Sequence, residues 1–373
     1  GVSSNHPLVR QGREEEIETI AEVELAYRCL EMSMIAVTGT NGKTTTVNLI
    51  EKILEKAEER PVSAGNIGYP LSRVARNPAG AKVAVTEISS FQLENTVRFR
   101  PRQAVLLEVT PDHLDRHSDE EEYFRMKMRL FENQKPGDTA VIPDRIYDRV
   151  APFIPEGVKI KRFGPPAGPV RCQQGNLVRE SGEGGIETIR KLDPVGPLGP
   201  PNEDNLSAAA ALALARRISP EVIAAALDEW NGLPHRFEKV GRKNGVDFYN
   251  DSKATNPSGA VAALSAVAGP VIWIVGGSEK GLDYSPLAEA AEGNVKLALL
   301  MGESREKITS VLDGRLEYRS VENLEEAVRA AVENARPGDT VLLSPACASF
   351  DMFRNYRQRG DRFKELVNRI VND

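Results

Sequence analysis

The chain of 373 residues carries 48 Lys and Arg against 54 Asp and Glu, a formal net charge of −6, with 40% hydrophobic and 27% charged residues. This is the mix of a globular protein long enough for two or three domains, and with no basic block it argues against nucleic acid as a partner. No stretch approaches the roughly 20 uninterrupted apolar residues of a membrane span. There is no apolar signal core near the start, and Cys29, Cys172 and Cys347 lie far apart with no metal-ligand spacing, so a cytoplasmic setting without membrane contact is expected. A monomer is expected as well, though the sequence does not give the oligomeric state.

Residues 1–33 are polar and charged, with one helical patch, "EIETIAEVELAYRCLE". "MIAV", Met34 to Val37, then reads as a short buried strand. After it come "TGTNGK" and a helix, "TTTVNLIEKILEKA", with Val47, Ile50, Ile53 and Leu54 on one face. "AKVAVTEISS" and "QAVLLEVT" are further strand candidates, and "DEEEYFRMKMRLFENQ" is helical. Strands alternating with helices predict an α/β fold with a mainly parallel sheet. Residues 153–200 are rich in Gly and Pro, and pieces such as "GNLVRE" and "GIETIRKL" predict a small antiparallel excursion. "EDNLSAAAALALARRI" is a helix. "GLPHRFEKV", Gly232 to Val240, reads as a hinge, after which "VDFYN", "VIWIVGG", "VKLALLMG" and "TVLLSPA" restart the alternation as a second α/β domain.

The stretch after the first strand departs from the strict G-x-x-x-x-G-K-[ST] phosphate loop, because Val37 stands where the first glycine belongs. The physics survives in Gly39-Thr40-Asn41-Gly42-Lys43-Thr44-Thr45. Two glycines let backbone N–H groups curl toward an anion, and the helix that follows adds the positive end of its dipole. Lys43 can reach outer phosphates and the Thr44 hydroxyl can hold Mg²⁺. The competing reading is an ordinary strand-to-helix turn that contains Gly-Lys.

Glu87 ends the second strand candidate, where ligands bind in open α/β sheets; it is either a Mg²⁺ ligand, with Ser89 beside it, or a solvated strand-end acid. His113, in "TPDHLDRH", is either a metal ligand or a hydrogen-bonded loop histidine. Lys127 shares a helix face with Tyr123 and Leu130; a lysine there ordinarily snorkels to water.

"TGTNGKTTT", "GNIGYP", "EISSFQLE", "TPDHLDRH", "GLPHRFE", "NDSKATNP" and "SPACASFDMFRNYRQRG" occur in one order along the chain. Together they resemble the Mur ligases of peptidoglycan synthesis, with "NDSKATNP" and "SPACASFD" similar to the D-glutamate-adding branch. The resemblance implies a central P-loop-type parallel-sheet ATPase domain at residues 31–235 and a C-terminal Rossmann-like, amino-acid-binding domain at 236–373. Residues 1–30 would be the remnant of an N-terminal domain that binds the UDP part of the substrate. The implied reaction joins D-glutamate to UDP-N-acetylmuramoyl-L-alanine at the expense of ATP, through an acyl phosphate.

Carried over by motif, Gly39 to Thr45 would hold the phosphates, with Lys43, His113 and Lys127 catalytic. Thr44, Glu87, His113 and Lys127 would serve two Mg²⁺ ions, Lys127 as a carbamylated, anionic ligand. Asn202 and Asn205 would face adenine, Arg236 and Asp251 the rest of the nucleotide, with Asp251 on the ribose. Asn66 and Ser89 would face the nucleotide sugar. Lys253, Thr255, Lys280, Ser349, Phe350 and Tyr356 would hold D-glutamate, though Phe350 and Tyr356 also fit core packing and the two lysines surface charge. Residues on both sides of the Gly232–His235 hinge then imply closure on nucleotide binding.

Two departures stand out: Glu108 replaces the family's usual Asn, and Pro201 its His. The shortened N-terminal domain leaves open a different acyl substrate, or a nucleotide-binding protein without ligase activity.

Overall fold

The computed structural model describes residues 6–110, 119–182, 184–192, 202–267, 269–279 and 281–372. The chain divides into two compact units, one running to Leu192 and including Asn202–Trp230, the other from Asn231 onward.

In the first unit the strands are β1 (Ser33–Thr38), β2 (Pro61–Gly65), β3 (Val83–Glu87), β4 (Gln103–Leu106), β5 (Thr139–Pro143), β6 (Lys159–Phe163), β7 (Val170–Gln173), β8 (Asn176–Glu180) and β9 (Ile186–Lys191). They form one sheet in the order β2-β3-β1-β4-β5-β6-β7-β8-β9. The ladder is parallel from β2 to β7, and β7-β8-β9 turn back antiparallel, which is the excursion the Gly/Pro-rich segment predicts.

β1 lies between β3 and β4. Val37 stands level with Glu87 on one side and Val105 on the other. The chain therefore leaves β1 at a point where strand order reverses, and the crevice outside the carboxyl ends of such strands is where ligands bind in this architecture. β1 and β3 are buried almost throughout, as strands covered on both faces must be. The helix Lys43–Lys56 buries Val47, Ile50, Ile53 and Leu54, the predicted stripe, and Leu49 with it.

The helical patch before β1 is shorter than its periodicity suggests. It forms only at Glu22–Cys29, and a separate helix, Pro7–Glu14, precedes it, with proline at its start. Between them Glu16 takes a positive φ of 55°, which interrupts one continuous helix. Glu24, fully buried, ties this helix to the core. Its carboxylate accepts the N–H groups of Val97 and Arg98 at 3.0 Å and of Phe99 at 2.8 Å, and pairs with Arg28 at 2.8 Å. Burial pushes the carboxyl up, but these donors outweigh it and hold it below the usual glutamate value.

The second unit holds β10 (Glu238–Lys243), β11 (Val246–Asn250), β12 (Val271–Gly276), β13 (Val295–Met301), β14 (Tyr318–Ser320) and β15 (Thr340–Leu343). Their order is β10-β11-β15-β12-β13-β14, parallel except for the β10–β11 hairpin. Central β12 is buried at every position, and the Trp273 indole inside it donates to the Ser344 carbonyl at 2.8 Å. No helix among the described residues is long and apolar enough to cross a membrane.

Glu24→Ala leaves three N–H groups without an acceptor and is expected to lower the unfolding free energy by about 3 kcal/mol, read from urea denaturation followed by circular dichroism. Because the folded pKa lies below the unfolded one, the anchor is fully present above the ordinary glutamate pKa and weakens as pH falls through the folded value. The difference between the original protein and Glu24→Ala should therefore shrink in acid.

Candidate active site

Three strand ends build the site in the first unit. From β1 the chain enters the curl Gly39–Gly42 and then the helix Lys43–Lys56. The curl lies against the segment that follows β4: Thr40 N–H donates to the Glu108 carbonyl at 2.8 Å, and a Cβ on Gly39 would stand 2.6 Å from Leu107 Cβ. Gly42 has φ +81°, and a Cβ there would stand 1.9 Å from Asn205 Oδ1. Both glycines are therefore required by close approach, and Gly42 also by its left-handed backbone.

Lys43 folds its Nζ back onto the carbonyls of Gly39 at 2.8 Å and Thr40 at 2.7 Å. Lys127 donates to the same Gly39 carbonyl at 2.9 Å and sits 4.4 Å over the Tyr123 ring, with 1% of its surface exposed. The snorkelling expected of a lysine on that face does not occur, because the helix Glu120–Met128 lays this face against the loop. Tyr123, which sequence reading treated only as a neighbour of Lys127, brings its hydroxyl to 3.2 Å from that of Thr40. Two lysine nitrogens thus converge on one turn of backbone, which concentrates positive charge at the curl.

Glu87, at the end of β3, is 3% exposed, which excludes the solvated strand-end reading. Its Oε2 accepts the Thr44 hydroxyl at 2.6 Å, and its Oε1 accepts the Asn66 amide at 2.9 Å. Ser89 caps the helix Ser90–Leu93, its hydroxyl and N–H both engaged with Gln92. Asn205 receives the Thr46 hydroxyl at 3.2 Å and donates to the Asn202 side chain at 3.1 Å, so both asparagines stand beside the curl at the start of the helix Glu203–Ala215. Asn41 is half-buried and Thr45 buried in the first helical turn. Glu108 pairs with Arg145 at 3.4 Å. His113 and Pro201 lie outside the described residues.

Residues 37–213 match the Mur ligase middle domain, and residues 235–347 the Mur ligase glutamate ligase domain. The UDP-N-acetylmuramoylalanine–D-glutamate ligase of Thermoanaerobacter pseudethanolicus is 39% identical, across 98% of this chain and 82% of that one. That of Aquifex aeolicus is 40% identical, across 98% and 86%. The chain belongs to the Mur ligase family. Among solved structures, the MurF ligase of Thermotoga maritima in complex with ADP has a TM-score of 0.70 at 17% identity, covering 94% of this chain and 83% of that one. FolC of E. coli in complex with DHPP and ADP has a TM-score of 0.67 at 18% identity, covering 99% and 100%. These two show the shared fold of two largely parallel α/β units.

In the second unit of this Mur ligase, Asp251 follows β11 and is buried, with 8% exposed. Its Oδ2 accepts the Ser344 hydroxyl at 2.9 Å and its Oδ1 the Phe237 N–H at 3.1 Å. Burial pushes its pKa from 3.8 to about 7, against the opposing effects of Ser344, Phe237, Arg236 and Arg359. Both oxygens expected on a ribose are thus engaged within the unit. Lys253 places Nζ 4.4 Å over the Tyr356 ring, and Thr255 is half-buried beside Asn256, which caps the helix Pro257–Ala266. Ser349 is buried, and its carbonyl accepts the Phe353 N–H at 2.8 Å. Phe350 is 68% exposed, which excludes core packing, whereas Tyr356 is half-buried. Arg236 is half-buried beside Phe237, and Lys280 lies outside the described residues.

Sequence reading missed Arg359, a fully buried guanidinium that ties these loops together. It donates to the Ser252 hydroxyl and carbonyl at 3.0 and 2.9 Å, to the Cys347 carbonyl at 3.0 Å and to the Ala348 carbonyl at 3.3 Å. Burial lowers it to about 10. It lies within the quoted stretch "SPACASFDMFRNYRQRG", but four residues into a charged amphipathic helix it resembles a solvated arginine, and periodicity does not mark it as buried.

Asp251 sets a pH dependence. Between 3.8 and about 7 the folded protein holds a proton that the unfolded chain has released, so stability falls as pH rises through that window and levels off above it. Urea titrations from pH 5 to pH 8, followed by Trp273 fluorescence in a Trp230→Phe background, should show this decline. Asp251→Asn should flatten it.

Proposed function

We propose that this chain is an ATP-dependent amide ligase that joins D-glutamate to UDP-N-acetylmuramoyl-L-alanine and releases ADP and phosphate, a step of peptidoglycan synthesis. The observation that carries this reading is the identity of 39–40% to D-glutamate ligases over 98% of the chain. The curl Gly39–Thr44, with Lys43, Lys127, Thr44 and Glu87 gathered on it, supplies the matching chemistry.

A carboxylate is a poor electrophile until it gains a better leaving group. The terminal carboxylate of the acyl substrate attacks the γ-phosphorus of ATP; an O–P bond forms and the bond to ADP breaks. The uncharged amine of D-glutamate then adds to the acyl carbon, and loss of a proton and of phosphate leaves the amide. Positioning and charge neutralisation carry most of such a reaction. The loop backbone and Lys43 would hold the polyphosphate, and Asn202 and Asn205 the adenine.

Thr44 and Glu87, oxygen donors 2.6 Å apart, fit a hard divalent cation. Mg²⁺ there supplies neutralisation of the developing phosphate charge. Lys127, with His113, would complete the metal ligation: carbamylation exchanges a buried cation for an anionic oxygen donor. In the second unit Lys253, Lys280 and Ser349 suit the carboxylates of D-glutamate, with Thr255, Phe350 and Tyr356 lining its site and Arg236 and Asp251 serving the nucleotide. Asn66, hydrogen-bonded to Glu87, and Ser89 would approach the nucleotide sugar. The expected setting remains a cytoplasmic monomer.

Phosphate release in bicarbonate buffer should require ATP, D-glutamate and UDP-N-acetylmuramoyl-L-alanine together. A folded protein that binds ATP but releases no phosphate with that pair rejects the ligase reading, and turnover only with another acyl acceptor in a substrate panel reassigns the substrate. Lys127→Ala should reduce turnover at least about 100-fold. Removing dissolved CO₂ should slow the original protein but not the variant. Gly42→Ala, which sets a Cβ against Asn205 in a left-handed backbone, should abolish ATP binding and lower the melting temperature by a few degrees while the far-ultraviolet circular dichroism stays that of a folded protein.

A further inference from the structure

Glu108 lies directly on the phosphate loop. Its carbonyl accepts the Thr40 N–H at 2.8 Å and stands 3.2 Å from the position of a Cβ on Gly39. On the other flank, Asp204 precedes Asn205, whose side chain crowds Gly42. Residues with acidic side chains therefore adjoin the curl on both sides, Glu108 through its own carbonyl and Asp204 as the chain neighbour of Asn205. One guanidinium meets both: Arg145 pairs with Asp204 at 2.6 Å and with Glu108 at 3.4 Å. Arg145 comes from neither element. It stands in the single turn Asp144–Ile146 after β5.

Ion pairs this exposed contribute little to folding, so fold stability is a weak reason for an arginine that bridges these two acids. Its effect on a polyanion is larger. A carboxylate within about one Debye length, ~8 Å at physiological salt, repels each phosphate charge, and a triphosphate carries several.

We propose that Arg145 is a positioning residue for nucleotide binding: it neutralises Glu108 and Asp204 and so keeps the loop receptive to a polyphosphate. The inference rests on the nucleotide reading of the loop and adds a residue that no motif marks. Glu108 supports the loop through its backbone carbonyl and Asp204 precedes the asparagine that crowds Gly42, and Arg145 cancels the electrostatic penalty their carboxylates impose.

The test is titration calorimetry of the full chain with Mg²⁺ and β,γ-imido-ATP. At about 50 mM salt, Arg145→Ala should raise the Kd about three- to ten-fold, and the gap should close at about 500 mM as screening takes over. Adding Glu108→Gln to that variant should restore most of the lost affinity, and Arg145→Lys should retain most of it. Melting temperatures of all variants should stay close to the original. An unchanged Kd for Arg145→Ala overturns the inference. So does a loss that neither salt narrows nor Glu108→Gln reverses, since that behaviour belongs to a purely structural role. Should the original protein fail to bind the analogue, the nucleotide reading itself falls and the inference falls with it. If the original binds and Arg145→Ala binds equally well, the inference alone falls.

Discussion

The bare backbone of Gly39 and Gly42 sets the terms for everything around it. Gly39 lies flush against Leu107, and Gly42, in a left-handed conformation, lies against Asn205. A side chain at either place would push the loop off its supports. Because nothing intervenes, the ends of β1, β3 and β4 and the start of the helix Glu203–Ala215 meet on one short curl. The Thr44–Glu87 contact and the convergence of Lys43 and Lys127 on the Gly39 carbonyl follow from that closeness. A loop held from three sides keeps its shape before any ligand arrives, and catalysis by positioning needs that preorganisation.

Buried charge is the second theme, and the chain meets it with backbone more than with opposite charge. Glu24 is surrounded by N–H groups of Val97, Arg98 and Phe99, Arg359 by carbonyls of Ser252, Cys347 and Ala348, and Lys127 rests on the Gly39 carbonyl and a tyrosine face. Backbone dipoles gathered from loops stabilise each ion, and each such ion in turn fixes the loop that supplies them. Glu24 holds the segment leading to β4, and Arg359 joins the loops that carry Lys253 and Ser349. Asp251 shows the limit of the strategy. Two donors do not repay its burial, and its pKa rises to about 7.

Much of the fold was legible because it is periodic. "MIAV", "AKVAVTEISS" and "VIWIVGG" are apolar runs bounded by turn residues, and the helix after the loop shows its stripe of Val47, Ile50, Ile53 and Leu54 without any partner in view. Elements whose residues do not alternate were invisible. β6, "KIKRF", and β10, "EKVGRK", are charged and largely unburied, and owe their state to the strands they pair with. The curl was legible because its two glycines report local backbone needs.

The sequence by itself determined the α/β class and the family, since these rest on short-range spacing and on motifs that keep their order along one chain. Only the tertiary structure decided that Lys127 faces inward, that Glu87 is shielded, that Phe350 is exposed and that Arg145 spans Glu108 and Asp204. Those facts depend on which surfaces meet after folding. A side chain's burial and charge partners are set by residues distant in the chain, and no local pattern encodes them.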